Sequence, residues 1–224
     1  MLSEVRQTIF PPRDGPHGLL PPLLLGMTVV TGLVDAFSYL TLGHVFVANM
    51  TGNVVFLAFG LLDVTGFSIA TPLVALAAFA VGALAGGRIG SKLAGRPWSI
   101  LAAGAAAQGL FLGAATAISV LLGPTLAEPQ RYVVTGVLGV GMGLQNATAR
   151  TLAVPDLTTT VLTQTITGIA ADSRLVGGPG SGEGRRLLSI AAMLVGAIVG
   201  ATFILRGHVT SVPAIAFAPW MSWS

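Results

Sequence analysis

The chain has 224 residues, 53% of them hydrophobic and 8% charged, with a formal net charge of +3. A soluble domain uses roughly a quarter charged residues, so this composition excludes a chain with a solvated surface all round. The lack of cysteine excludes disulfides, a thiol nucleophile and a thiolate metal site.

Several apolar runs exceed the roughly 18 residues that mark a transmembrane helix. None alternates at period two, as the strands of a membrane β-barrel do. The expected class is therefore all-α: a polytopic helical membrane protein with the lipid bilayer as its main partner. The basic excess reads as the cytoplasmic bias of membrane loops, not as a nucleic-acid surface. Residues 1–17, with Glu4, Arg6, Arg13 and Asp14, read as a short cytoplasmic tail, and 18–224 as a single transmembrane domain. Residues 19–42 are too long for a removable signal peptide and lack its cleavage flank.

In chain order, the first span covers 18–42, where Pro21 and Pro22 suit a helix start. It carries an acid, Asp35. The next stretch, 46–62, opens on a polar cluster, Asn49-Met50-Thr51-Gly52-Asn53. A clean span at 70–87 leads to a basic loop with Arg88, Lys92 and Arg96. Spans follow at 98–122 and 132–150, the second ending in Arg150. Residues 157–171 are short and threonine-rich, preceded by Pro155-Asp156, a helix-start signal with Asp156 as cap. A glycine-rich loop at 172–186, a clean span at 187–205 and an apolar tail at 209–223, interrupted by Pro213 and Pro219, complete the chain.

If all of these stretches cross the bilayer, the basic residues divide evenly between its two sides. If 46–62 and 157–171 enter and leave on one side, only Arg131 and Arg206 lie outside, and every other Lys and Arg lies inside. That asymmetry is the positive-inside pattern. The expected topology is about six transmembrane helices plus two broken or re-entrant segments, with both termini cytoplasmic. Trp98, Trp220 and Trp223 then fall near the inner interface.

The two halves, about 18–123 and 131–224, align in order at three places. Gly32-Leu33-Val34-Asp35-Ala36 matches Gly143-Leu144-Gln145-Asn146-Ala147, and Thr51-Gly52-Asn53 matches Thr163-Gln164-Thr165. Residues 77–86 match 191–200. An odd number of crossings separates each motif from its copy, which inverts the second half, a recurrent transporter plan. The alternative is a duplication kept only for packing.

An acid inside a span is costly unless paired or facing water, so Asp35 is a candidate for a proton or cation site. It could instead only fix helix packing. Its copy, Asn146, has the same shape without the charge. Asn49, Thr51, Gly52 and Asn53 read as a break whose backbone lines a watery cavity, with a freed helix N-terminus that favours an anion or a carboxylate. They could also form a plain loop at the outer surface. Thr163 is singled out in the second break as the copy of Thr51. Its neighbours Thr158, Thr159, Thr160, Thr165 and Thr167 can back-bond to their own helix.

Arg150 is either an inner-surface anchor or a counter-ion for Asp35 or an anionic substrate. His44 is either a proton relay near the outer mouth or a loop residue. Gln108 and Gln145 suggest interhelical hydrogen bonds. Gly82-x-x-x-Gly86, Gly86-x-x-x-Gly90 and Gly196-x-x-x-Gly200 permit close helix approach, joining either the two halves or two copies in a homo-oligomer.

No paired acids, histidine–carboxylate metal set, nucleophile with a base or phosphate loop occurs at usable spacing. The expectation is no enzyme, no catalytic residue, no cofactor and no metal. The reading is a small secondary transporter or permease of unknown small-molecule or ionic substrate, proton-coupled through Asp35. The alternative is a non-transporting scaffold or partner subunit.

The run from Gly32 to Leu40, the pattern Val45-Phe46-Val47-Ala48-Asn49-Met50-Thr51-Gly52-Asn53, and Gly143 to Ala147 downstream resemble the YoaK-like family of bacterial inner-membrane proteins. That is a domain-of-unknown-function family with about six transmembrane segments. The resemblance covers nearly the whole chain. It implies a bacterial inner-membrane location and brings no substrate or reaction. Family members often have Thr-Gly in the second break as well, where this chain has Thr163-Gln164, which implies a stiffer or differently shaped break.

Overall fold

A computed structural model describes residues 2–12, 18–123, 125–154, 162–173, 177–178 and 182–221, with side chains from 3 to 216 within those ranges. Every regular element among them is a helix: α1 (Leu2–Ile9), α2 (Leu20–Thr41), α3 (Met50–Leu61), α4 (Ala70–Lys92), α5 (Pro97–Leu122), α6 (Glu128–Leu152), α7 (Leu162–Ala171), α8 (Glu183–Leu205) and α9 (Ser211–Met221). The shortest of α2, α4, α5, α6 and α8 has 22 residues, roughly 33 Å at about 1.5 Å per residue. That exceeds the ~30 Å hydrocarbon layer. Of these, α2, α4, α5 and α8 are also apolar enough to span it. Val81, Leu84, Leu110, Leu121, Leu194 and Ile198 lie exposed along them, a surface that suits lipid rather than water. The protein is a multi-pass helical membrane protein.

Two elements depart from expectation. Arg88 and Lys92, expected in a loop, continue α4 to its end, because Lys and Arg are good helix formers and favour a helix C-terminus. The tail, expected as a sixth crossing, forms α9 of 11 residues, roughly 16 Å long. Within the described residues it covers about half of the bilayer core. Pro155, Asp156, Thr158, Thr159, Thr160, Arg13, Asp14, Arg174 and Trp223 lie outside the described residues, as does the side chain of Trp220.

The principal pairings are α2 with α8 and α4 with α6. Each is a backbone-to-backbone crossing through glycine. A Cβ on Gly196 would collide with the Val29 carbonyl, and one on Gly32 with the Met193 carbonyl. In the other crossing, a Cβ on Gly82 would collide with the Val140 carbonyl, and one on Gly143 with that of Phe79. Gly200 packs on Leu33 and Ala36, as Gly86 packs on Leu144 and Ala147. The glycine faces are thus used within one chain, joining its halves.

The contacts also set the helix directions. Leu42 and Gly43, after α2, share a cavity wall with Thr71 of α4 and Glu128 and Arg131 of α6. The start of α2 (Leu20, Leu24) clusters with Leu101 of α5 and with Ala149 and Val154 at the end of α6. So α2 runs against α4 and α6. α8 runs with α2, because Val29 meets Gly196 and Leu33 meets Gly200. Arg88, Lys92, Arg96, Arg150, Arg185 and Arg186 therefore gather toward one face. Arg6 joins them, because Glu4 of α1 accepts from the Gly182 and Gly184 N–H groups at the start of α8 (3.2 and 3.1 Å). The opposite face has Arg131 and Arg206.

Between the crossings, Gln108 of α5 donates to Gln145 of α6. Gln145 donates onward to Thr31 Oγ1 of α2 at 2.9 Å. The expected interhelical amide bonds therefore tie three helices at one depth.

Candidate functional site

α2 ends at Thr41, and the chain turns back instead of leaving the layer. His44, with φ 55°, donates from Nδ1 to the Gly66 carbonyl at 3.2 Å. The Phe46 ring stacks on Tyr39, centroids 5.1 Å apart. By Val47 and Ala48 the descending chain has reached Asp35, about 9 Å back from the end of α2. Asp35 Oδ1 accepts from the Val47 N–H (3.0 Å) and the Ala48 N–H (2.8 Å). α3 then climbs back beside α4, and the turn after it returns to His44. The segment 46–62 enters and leaves by the same face.

The second short helix, α7, runs the opposite way. α7 packs on α8. Past its end, Asp172 pairs with Arg186 at 2.7 Å, on the face where α8 starts. Its first described turn, Leu162-Thr163-Gln164, lines the same cavity as the first turn of α3.

Where they meet lies a cavity of about 780 Å³. Its walls include Asp35, Asn49, Met50, Thr51 and Gly52 from the first half, and Asn146, Arg150, Thr163 and Gln164 from the second. Val55, Phe79, Ala147, Val154 and Met193 add apolar surface. Seven sequence candidates thus share one wall: Asp35, Asn49, Thr51, Gly52, Asn146, Arg150 and Thr163.

Asp35 is 4% exposed. One of its oxygens clamps the break, while Oδ2 is buried without a hydrogen-bond partner. The Asn49 side chain makes no cap to α3, and that first turn lines the cavity. Asn146 donates to the Met142 carbonyl of its own helix at 3.0 Å. Arg150 is exposed at the basic end of the cavity.

Gly52 sits in the first turn of α3 with helical geometry. A Cβ there would lie 2.7 Å from Phe46 Cδ2, so the missing side chain makes room for the ring that starts the descent.

Two candidates lie elsewhere. Asn53 faces away from the cavity and is fully buried. Its Oδ1 accepts from the Phe46 N–H at 2.9 Å and its Nδ2 donates to the Phe46 carbonyl at 2.6 Å. It satisfies broken backbone, as buried polar backbone at membrane depth requires, and does not reach a solute. His44 belongs to an aromatic group with Tyr39 and Phe67 at the face opposite the basic one. Met50 and Gln164 line the cavity without having been singled out. Gln164 could have been found, since it stands where the first break has Gly52. Nothing in the sequence marks Val47 and Ala48 as partners of Asp35.

A family described as "Protein of unknown function (DUF1275)" matches residues 23–222. The chain is 30% identical over 154 residues to the "UPF0700 transmembrane protein YoaK" of Bacillus subtilis (strain 168), covering 67% of this chain and 65% of that protein. The chain therefore spans just under two thirds of that relative's length. No solved structure matches. The family match extends through both breaks and both glycine crossings, and the chain belongs to the DUF1275 family.

Proposed function

We propose that this protein is a small secondary transporter of a bacterial cytoplasmic membrane. It is built from two inverted copies, and its solute site is the cavity between their half-helices. The observation that carries this reading is the cavity itself. It holds about 780 Å³ at membrane depth, bounded by the first turns of α3 and α7 and by Asp35. Broken helices whose N-termini meet near the midplane, one from each repeat, suit a site reached alternately from two sides. The matched glycines at matched crossings support the repeat. The charge asymmetry and the bacterial relative named as a transmembrane protein support the membrane, the cytoplasmic placing of the basic face, and the N-terminus on that side.

Asp35 is the coupling residue in this reading. Oδ1 stays with the Val47 and Ala48 N–H groups, and a proton taken up from one side and released to the other travels on Oδ2. The protein acts on its solute by moving it, not by making or breaking bonds. The scaffold reading draws on Asn53 and Asp35 Oδ1, both spent on the protein's own backbone.

The two readings separate in liposomes reconstituted with the purified chain and loaded with a pH dye. A transporter gives solute-dependent proton movement that Asp35→Asn abolishes while folding is retained. A scaffold gives none with either protein.

A further inference from the structure

We infer that the cavity binds a small organic monocarboxylate together with one proton held on Asp35 Oδ2. This rests on the transporter reading and names the substrate class of that site.

Three observations converge. First, α3 has 12 residues, and its uncapped first turn, Asn49 to Gly52, lines the cavity. Free N–H groups at a helix start bind anions, a carboxylate among them. The first described turn of α7 meets it across the same space. Second, Arg150 adds a positive side chain to the wall. Third, half of the named lining is apolar, including Val55, Phe79, Val154 and Met193. A bare inorganic ion would leave that surface, and most of the volume, unused. A carboxylate with a short hydrocarbon body fills both, as ligand sites of mixed lining do.

The proton follows from Asp35. Two carboxylates in one poorly solvated cavity repel strongly, and one of them takes up a proton. Oδ1 already accepts two backbone N–H bonds, so the proton goes to Oδ2, which is buried with no hydrogen-bond partner among the described residues. Oδ2–H then donates to a substrate oxygen while the clamp on the break is kept. Release reverses the step: the substrate leaves as the anion and the proton leaves Oδ2. Among the described residues, Arg150 is the only other charged side chain in this wall. α3, α4 and α9 present none at this depth, and the charged residues of α8, Glu183, Arg185 and Arg186, lie in its first turn. His44 and His208 lie at the far face.

Two measurements on the purified full chain test this. Calorimetric binding uses lactate, pyruvate, 3-hydroxybutyrate and benzoate as probes, with tetraethylammonium and glycerol as cationic and neutral controls. At least one carboxylate is expected to bind, tightening by up to about tenfold per pH unit of acidification, as one linked proton requires. Asp35→Asn keeps an oxygen for the Val47 and Ala48 bonds and should bind the same carboxylate with no pH dependence. Arg150→Gln should weaken binding several-fold and leave the pH dependence in place. Tighter binding of tetraethylammonium than of any carboxylate overturns the inference. So does a failure of all four carboxylates to bind, or an unchanged pH dependence in Asp35→Asn. Uptake by proteoliposomes under a pH gradient is then measured with the same probes. Proton-linked binding without uptake keeps the site and sinks the transporter reading. Uptake of the cation or of glycerol alone keeps transport and sinks the carboxylate.

Discussion

Replacing Asp35 by alanine removes the acceptor on which two backbone N–H groups depend. Each buried donor left unpaired costs about 1–3 kcal/mol, so Asp35→Ala is expected to lower the thermal midpoint in detergent by several degrees. Asp35→Asn, which keeps an oxygen in place, should stay near wild type. Equal losses in the two variants would show that the clamp contributes nothing. The contrast matters because activity loss in Asp35→Ala alone would not separate a broken fold from a lost proton site. At this scale the residues of the site were legible in type but not in orientation. Asp35, Thr51, Asn146 and Thr163 lie where an intramembrane polar group was expected. Asn53 does not, because whether a polar side chain in a break meets solute or its own backbone depends on the path of the non-helical segment. Residues 42–49 carry no periodicity that reveals that path. The role of Gly52 was hidden for the same reason, since the ring that needs its space belongs to the descending strand of chain.

Helix spans follow hydropathy closely, and α2, α5 and α8 lie within a few residues of their expected bounds. The pairing of those helices was only half legible. Gly-x-x-x-Gly announced close approach but not the partner, because a small-residue face fits any helix. The structure uses these faces for α4 on α6 and α2 on α8. Gly82→Ala and Gly196→Ala should therefore each destroy the folded protein, since the new Cβ meets backbone and not a movable side chain. The loss should exceed the roughly 1–3 kcal/mol of ordinary overpacking. Gly87→Ala, in the same helix as Gly82 but with open space around it, should be neutral. Monodisperse yield after detergent extraction reads all three, and a tolerated Gly196→Ala would contradict the crossing described. The short helix α1 offers a pH-dependent contact. The Gly184 N–H, and then the Gly182 N–H, hold the Glu4 carboxyl below the usual carboxylate range. A lowered pKa means docking contributes above the ordinary carboxylate pKa and is lost as pH falls through the Glu4 value. Amide exchange in α1 should therefore be slow near neutrality and rise in acid, and Glu4→Gln should raise it at neutral pH. Exchange that ignores both changes would leave α1 held by its other contacts alone.

Over the whole molecule, the two half-helices enter from opposite faces, and this arrangement makes one shared cavity from two short segments. It follows from connectivity. α2 and α6 run in opposite directions, and the short helices α3 and α7 that follow them bring their first described turns to the same cavity. The arrangement makes a topological statement that chemistry can check. The chain has no cysteine, so single cysteines report without background. Asp63 follows α3, and Glu128 starts α6 beside the cavity lined by Gly43 and Gly66. Arg96 precedes α5 and Glu183 starts α8 on the basic face. With a membrane-impermeant maleimide on intact cells, positions 63 and 128 are expected to label. Positions 96 and 183 are expected to label only in inverted vesicles, as the positive-inside rule requires of the basic face. Position 63 decides between the two topologies. If α3 crossed completely, 63 would move inside to the side of 183, 96 would move outside, and the shared cavity would go with them. Labelling of 63 and 128 in intact cells leaves the re-entrant path standing. Labelling of 63 only in inverted vesicles, with 96 labelled in intact cells, removes it, and with it both the carboxylate site and the role assigned to Asp35.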